Sequence, residues 1–260
     1  MQMRRVVPEW SGFDAPEHMI HLSSLPERLP GVDDTLPPLV DSTEWLTFKT
    51  DKRRREHLGG RLLLANAVEA WWRHHALPGR TDELDVVRDE HRAPYLRWRP
   101  GLWRQVPLPG VSIGHSAGQA VVGLVETEWS IGVDAEPLDR AIAEGAWDMF
   151  ASAEERASFQ GRPASALRAW VTKEAVQKAL GLGMHLNPRH IVAEGDRYVH
   201  NGAVVHLSWM EVDGMLMCVA LAPGRAPPPT PEDAVLDATR AAMQVNPDWG
   251  VGCKTTRNMS

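Results

Sequence analysis

Trp170-Val171-Thr172-Lys173-Glu174-Ala175-Val176-Gln177-Lys178-Ala179-Leu180-Gly181-Leu182-Gly183 is the stretch whose reading decides the fold. Leu167, Trp170, Val171, Ala175, Ala179 and Leu180 recur at spacings of three and four. That period predicts a helix with one buried face, stopped by Gly181 and Gly183. Glu174 and Lys178 stand four apart, so a carboxylate and an ammonium share one stripe a turn from each other, in line with Trp170. Taken alone, such a pair is most often a surface ion pair worth little.

A second acidic pair lies upstream. Ile131-Gly132-Val133-Asp134-Ala135-Glu136 alternates apolar and acidic residues, which predicts a strand with Asp134 and Glu136 on the same face. Two carboxylates on a strand and one on a helix can converge only around something cationic. A hard divalent ion with oxygen ligands, Mg²⁺ first, is the simplest such partner, and it commonly brings phosphate with it.

Three further stretches precede these in order: Arg53-Arg54-Arg55-Glu56-His57-Leu58-Gly59-Gly60-Arg61, Ala93-Pro94-Tyr95-Leu96 and Ser112-Ile113-Gly114-His115-Ser116. Together the five resemble the signature of the 4′-phosphopantetheinyl transferases of the larger, surfactin-synthetase type, over roughly Leu46 to Pro223. The resemblance implies an α+β fold of two similar α+β lobes related by pseudo-twofold symmetry, with the active site between them. It implies transfer of the 4′-phosphopantetheine arm of coenzyme A to a serine of an apo acyl, peptidyl or aryl carrier protein, releasing adenosine 3′,5′-bisphosphate. The synthase served, for fatty acids, polyketides or nonribosomal peptides, is left open.

Carried over residue by residue, the resemblance makes Asp134, Glu136 and Glu174 the Mg²⁺ ligands and brings Lys178 to the pyrophosphate. Glu174 has a second role as general base toward the carrier serine, ranked after the ligand role because a metal-bound carboxylate is a weak base. Arg53 and Arg61, about two helical turns apart, face the 3′-phosphate together. Arg88 matches an arginine that some relatives use there, and His115 matches a phosphate-contacting histidine. Lys173, about 100° off the Glu174 stripe, is a further candidate phosphate contact. The chain departs from the family at three places: Arg92-Ala93-Pro94 stands for Gly-Lys-Pro, with Arg92 restoring the charge; Gly114 stands for a common serine; and Glu44 lies near an upstream basic residue. Two other readings remain beside the transferase. One is a non-catalytic coenzyme A- or carrier-binding protein of the same fold; the other is a metal-dependent pyrophosphate hydrolase.

Composition bounds these readings. At 260 residues and 43% hydrophobic, the chain can bury a sizeable core as one large domain or two small ones. A net charge of −6 argues against nucleic acid as partner and leaves acidic carrier proteins to a local basic patch. Cys218 and Cys253 form no motif, which fits a reducing cytoplasm. No apolar run of about eighteen residues is present to span a membrane, and Met1 to Trp10 lacks the apolar core of a signal peptide. A site completed within one chain permits a monomer.

Along the chain, residues 1–42 read as an irregular lead-in with one strand, 43–130 as an N-terminal lobe, 131–225 as a C-terminal lobe, and 226–260 as a Pro-rich linker and tail. A helix should run from Ser42 to His74 or His75, with a break near Thr50-Asp51. Adjacent residues diverge by about 100° on a helix, so His74 and His75 read as surface residues that one metal could not easily take together. Leu84 to Val87 and Val111 to His115 read as strands, and Trp98 to Pro109 as a loop. The β-rich runs Gln119–Glu126 and Trp129–Val133 predict a hairpin turning at Thr127-Glu128. Helices follow over Leu138–Phe150 and Ser152–Gln160, the latter with a capping box from Ser152 and Glu155. After Gly183 come four strands, the first at Ile191-Val192-Ala193, and a short helix is expected over Glu232–Met243.

Overall fold

Asp41 accepts hydrogen bonds from the Thr43 and Glu44 N–H groups and starts a short helix; Thr50 accepts one from Arg53 and starts a long one. The expected break at Thr50-Asp51 is therefore present, with Asp41 rather than Ser42 as the first cap. The computed structural model describes residues 2–31, 34–99 and 106–225; the expected helix over Glu232–Met243 and the Pro-rich tail lie outside them. In chain order the elements are β1 (Arg4–Val6), β2 (His18–Ser24), α1 (Ser42–Thr47), α2 (Asp51–His74), β3 (Leu84–Arg88), β4 (Pro94–Trp98), β5 (Gly110–Ser116), β6 (Gln119–Val125) and β7 (Trp129–Pro137). There follow α3 (Glu144–Phe150), α4 (Ala153–Phe159), α5 (Pro163–Leu180), β8 (Arg197–His200), β9 (Ala203–Val212) and β10 (Met215–Pro223).

Two antiparallel four-stranded sheets carry the fold, in the orders β1-β2-β6-β5 and β7-β10-β9-β8, with β3 and β4 as a separate hairpin. The alternation of each strand sorts its residues between two cores. Ala120, Val122 and Leu124 of β6 pack with Leu64, Val68 and Trp71 of α2, whereas Val121 and Val125 face the other way. Likewise Leu216, Cys218 and Ala220 of β10 pack with Val171, Ala175 and Ala179 of α5. Met217, Val219 and Leu221 meet Ile20, Val121, Ile131 and Val133 in a core between the sheets. The layers run helix, sheet, sheet, helix, a mixed α+β architecture as expected.

Several expectations are corrected. The lead-in holds two strands, not one, and both belong to the first sheet. β6 and β7 form no hairpin. β6 has β2 on one edge and β5 on the other, so neither edge is free; a turn closed by Trp129 N–H to Glu126 O sends the chain across to pair β7 with β10. α3 begins at Glu144 because Leu138 and Arg140 are taken by backbone bonds to Gly214 and Pro137. Among the described residues three strands, not four, follow α5: the carbonyl of Ile191 accepts from the Lys173 ammonium instead of a neighbouring strand. The capping box of Ser152 and Glu155 is present at α4, and Gly181 ends α5 in the left-handed conformation that glycine adopts without strain.

Candidate active site

β7 and α5 approach at Gly132. An added Cβ there would stand 1.9 Å from the Ala175 carbonyl oxygen and 2.5 Å from the Ala179 nitrogen, so only a residue without a side chain lets the helix lie directly on the strand. Asp134 and Glu136 follow at two-residue spacing on the same face of the strand. The helix delivers Lys178 over them: its ammonium donates to Asp134 Oδ1 at 2.6 Å and to the Val133 carbonyl at 3.1 Å. Glu136 is held by the Ser116 hydroxyl on one oxygen and by Arg140 on the other.

Three carboxyls and one ammonium thus share a largely desolvated corner. Burial, together with the Glu136 charge, pushes the Asp134 carboxyl up from its ordinary value against the pull of Lys178. Burial and the Asp134 and Glu136 charges push Glu174 up in the same way. For Lys178 burial works against the charged form, but the Asp134 and Glu174 carboxylates outweigh it and its pKa is raised. Asp134 Oδ2 is buried and has no hydrogen-bond partner. An orphaned carboxylate oxygen beside two more carboxyls is a donor set suited to a hard divalent cation. The donor atoms of Asp134, Glu136 and Glu174 do not all lie within 4.8 Å of one another; among the described residues only Glu17, His74 and His75 do.

From this corner a cleft of about 250 Å³ runs between α2, the β3–β4 turn, β5 and the end of α5. Arg53 and Arg61, Arg88 and Arg92, His115, and Lys178 all line it, so the structure brings together six of the phosphate-binding candidates read from the sequence. Arg53 Nη1 lies 3.1 Å from His115 Nε2. Burial, with the Arg53 and Lys178 charges, holds His115 below the usual imidazole range against the pull of Glu56, so the neutral ring accepts this bond. Arg61 is 3% exposed, and its Nη1 has no partner. A second, adjacent cleft shares Glu56 and His115 with the first and is lined by Lys52, Arg55, Ser116, Glu136 and Arg140.

Lys173 is not in either cleft. It is 2% exposed, and its ammonium donates to Glu155 at 2.9 Å, to the Pro188 carbonyl at 2.9 Å and to the Ile191 carbonyl at 2.6 Å. It ties α5 to α4 and to the loop behind. Glu174 lines neither cleft and reaches the cluster electrostatically from α5.

The departures from the family pattern acquire physical reasons. A Cβ on Gly114 would come within 2.9 Å of Val121 Cγ1 and 3.2 Å of the Val133 carbonyl oxygen. β5 and β7 are too close there for a serine side chain; they are joined instead by the Val133 N–H donating to Ser112 Oγ at 3.0 Å. Arg92 takes φ +68°, the left-handed conformation that glycine adopts freely. Asp89 fixes that turn by accepting from the N–H groups of His91 and Ala93. Glu44, near the place of that upstream basic residue, binds Arg88 at 2.9 Å and Arg61 at 3.4 Å. Burial pushes its carboxyl up, but the Arg88, His57 and Arg61 charges prevail and hold it below the usual range. Ser116, Glu56 and Arg140 were not foreseen; Ser116 and Glu56 lie inside the quoted motifs, whereas nothing local marks Arg140.

Residues 130–200 match the model of the 4′-phosphopantetheinyl transferase superfamily. The matched segment runs from β7 through α5 to β8 and contains Asp134, Glu136, Glu174 and Lys178, the four side chains of the acidic corner. No curated protein matches the chain. Within the described residues no helix is long and apolar enough to cross a membrane.

Proposed function

We propose that this protein transfers the 4′-phosphopantetheine arm of coenzyme A to a serine hydroxyl of an apo carrier protein, with Mg²⁺. One observation carries the reading: the acidic corner of the superfamily segment opens beside an arginine-lined cleft, with a buried unpartnered carboxylate oxygen on Asp134 and a buried unpartnered guanidinium nitrogen on Arg61. The first suits a cation and the second a phosphate.

In this reading Asp134, Glu136 and Glu174 would hold the Mg²⁺ once their carboxyls draw together around it, and the ion would supply charge stabilisation at the pyrophosphate. Lys178 neutralises the same group, and Arg53, Arg61, Arg88 and Arg92 with His115 orient the adenosine 3′,5′-bisphosphate part. The serine Oγ forms a bond to the β-phosphorus, and the bond from that phosphorus to the oxygen of the leaving 5′-phosphate breaks. The serine proton goes to Glu174, directly or through water. Positioning and electrostatic stabilisation carry most of such a phosphoryl transfer.

The finer assignment, to the larger surfactin-synthetase type, is supported by two four-stranded sheets each backed by one long helix. The lobes would divide at the turn between β6 and β7, and one chain would complete the site as a cytoplasmic monomer. The adjacent cleft sets Lys52, Arg55 and Arg140 beside Glu27, Glu56 and Glu136, with Lys52 paired to Glu56 and Arg140 to Glu136, so Arg55 is the cation it would offer an acidic carrier.

Intact-protein mass spectrometry of apo acyl and peptidyl carrier proteins, incubated with the protein, coenzyme A and Mg²⁺, tests the reading. A gain of one phosphopantetheine arm, abolished by chelator and by Glu174→Gln, is expected. Release of 4′-phosphopantetheine with no carrier present would establish a hydrolase instead, and coenzyme A binding without turnover a non-catalytic protein.

A further inference from the structure

Far from the clefts, at the C-terminal end of α2, Glu17, His74 and His75 bring one carboxylate oxygen and two imidazole nitrogens within 4.8 Å of one another. Helical spacing alone would splay the two histidines. α2, however, ends at His74, and His75 caps it with φ −87° and ψ 5°. Its ring packs on Trp71 at 4.4 Å between centroids and meets the His74 ring edge-on at 5.1 Å. The two rings are thereby fixed at an angle that aims both Nε2 atoms at Glu17.

Glu17 is placed from the other side. It immediately precedes β2, and its carbonyl accepts from the Glu126 N–H at 3.1 Å, which anchors its backbone to the end of β6. His74 Nε2 lies 2.7 Å from Glu17 Oε1. His75 Nε2 lies 3.7 Å from Oε2, too far for a hydrogen bond, and is buried without any partner. An ion pair between His74 and Glu17 accounts for the first contact but leaves the second nitrogen orphaned. Two donors on a tetrahedral ion with bonds of about 2.0–2.1 Å stand about 3.3 Å apart, midway between the two observed separations.

We propose that Glu17, His74 and His75 form a binding site for a divalent transition-metal ion, with Zn²⁺ the best match to two imidazoles and a carboxylate. Three protein donors leave a fourth position to water. Imidazole nitrogens discriminate against Mg²⁺, so this site and the acidic corner select different ions. The ion would tie the end of α2 to the start of β2, closing the first helix layer onto its sheet, and its occupancy is independent of coenzyme A.

Cobalt(II) added to the full chain in excess Mg²⁺, which occupies oxygen-only sites, provides the test. Expected are one equivalent of bound cobalt with the intense visible absorption of low-coordinate nitrogen ligation, displaced by Zn²⁺, and a Zn²⁺-dependent rise in the thermal midpoint. In His74→Gln and Glu17→Gln, affinity should fall at least about tenfold and the Zn²⁺-induced rise should vanish, while the metal-free midpoint shifts only by what one exposed ion pair contributes and coenzyme A binding stays unchanged. Absence of the visible band in the parent protein, or equal affinity in the parent and both variants, would overturn the proposal.

Discussion

Gly132 lies so close under Ala175 that a single added carbon would sit 1.9 Å from the Ala175 carbonyl oxygen. The nearest obstacles are helix backbone, which cannot swing aside as a side chain could. Gly132→Ala should therefore lift α5 off β7 and carry Glu174 and Lys178 away from Asp134. A loss of about 1–3 kcal/mol in urea unfolding is expected, at the upper end because the clash is with backbone. Transfer should fall further than stability accounts for. A variant that keeps full activity would show that the corner tolerates displacement of the helix.

Glu44 occupies the position that an anion from solution would take between Arg61 and Arg88. A 3′-phosphate entering there must compete with a carboxylate already held by both guanidiniums. Glu44→Gln should strengthen coenzyme A binding by roughly tenfold at low salt and leave 3′-dephospho-coenzyme A unchanged, as read by calorimetry. Weakened binding would mean instead that Glu44 orders the arginines for the ligand. Arg61→Ala should penalise coenzyme A more than its dephospho analogue.

Each half of the acidic corner was legible in the sequence because its determinants are local, whereas the meeting of the two halves, 44 residues apart at Asp134 and Lys178, was expected from the family resemblance. Two-residue alternation put Asp134 and Glu136 on one face, and four-residue spacing put Glu174 above Lys178. What escaped depends on which distant element comes alongside. Nothing in Gln119–Glu126 says that both of its edges are taken, so its neighbour β7 looked like a hairpin partner. Lys173 looked available because the carbonyls that consume its ammonium belong to Pro188 and Ile191, beyond the end of the helix. Glu44 could be seen only as a departure, since its role is set by arginines on α2 and β3. His74 and His75 were separated by an ideal-helix rule that fails at a cap.

Arg92 holds a left-handed φ of +68° at the tip of the β3–β4 turn. A non-glycine residue pays of order 1 kcal/mol for that conformation. Arg92→Gly should thus raise stability by about 1 kcal/mol, less the extra freedom glycine gives the unfolded chain. It also deletes a cleft cation, so coenzyme A binding should weaken several-fold while the thermal midpoint holds or rises. A midpoint drop above a few degrees would show that the guanidinium, rather than the turn, sets the local stability.

His21 is buried in β2 at 2% exposure, and neither ring nitrogen has a partner. Burial, aided by the Arg5 charge, pushes its pKa from 6.5 down to about 4. In the unfolded chain the ring titrates near its ordinary value, so between these limits the unfolded state takes up a proton that the folded state refuses. The stabilisation is complete above the unfolded value and is lost as pH falls toward the folded one, about 3 kcal/mol across the window. His57, also held down to about 4, chiefly by burial, adds a loss of the same sign. The informative quantity is therefore the difference between the parent and His21→Leu, a similar volume without the titratable group. Urea unfolding between pH 7.5 and 4.5 should show a shallower decline for the variant, with stability at pH 7.5 equal or greater. Parallel declines would mean that the folded protein protonates His21 without cost.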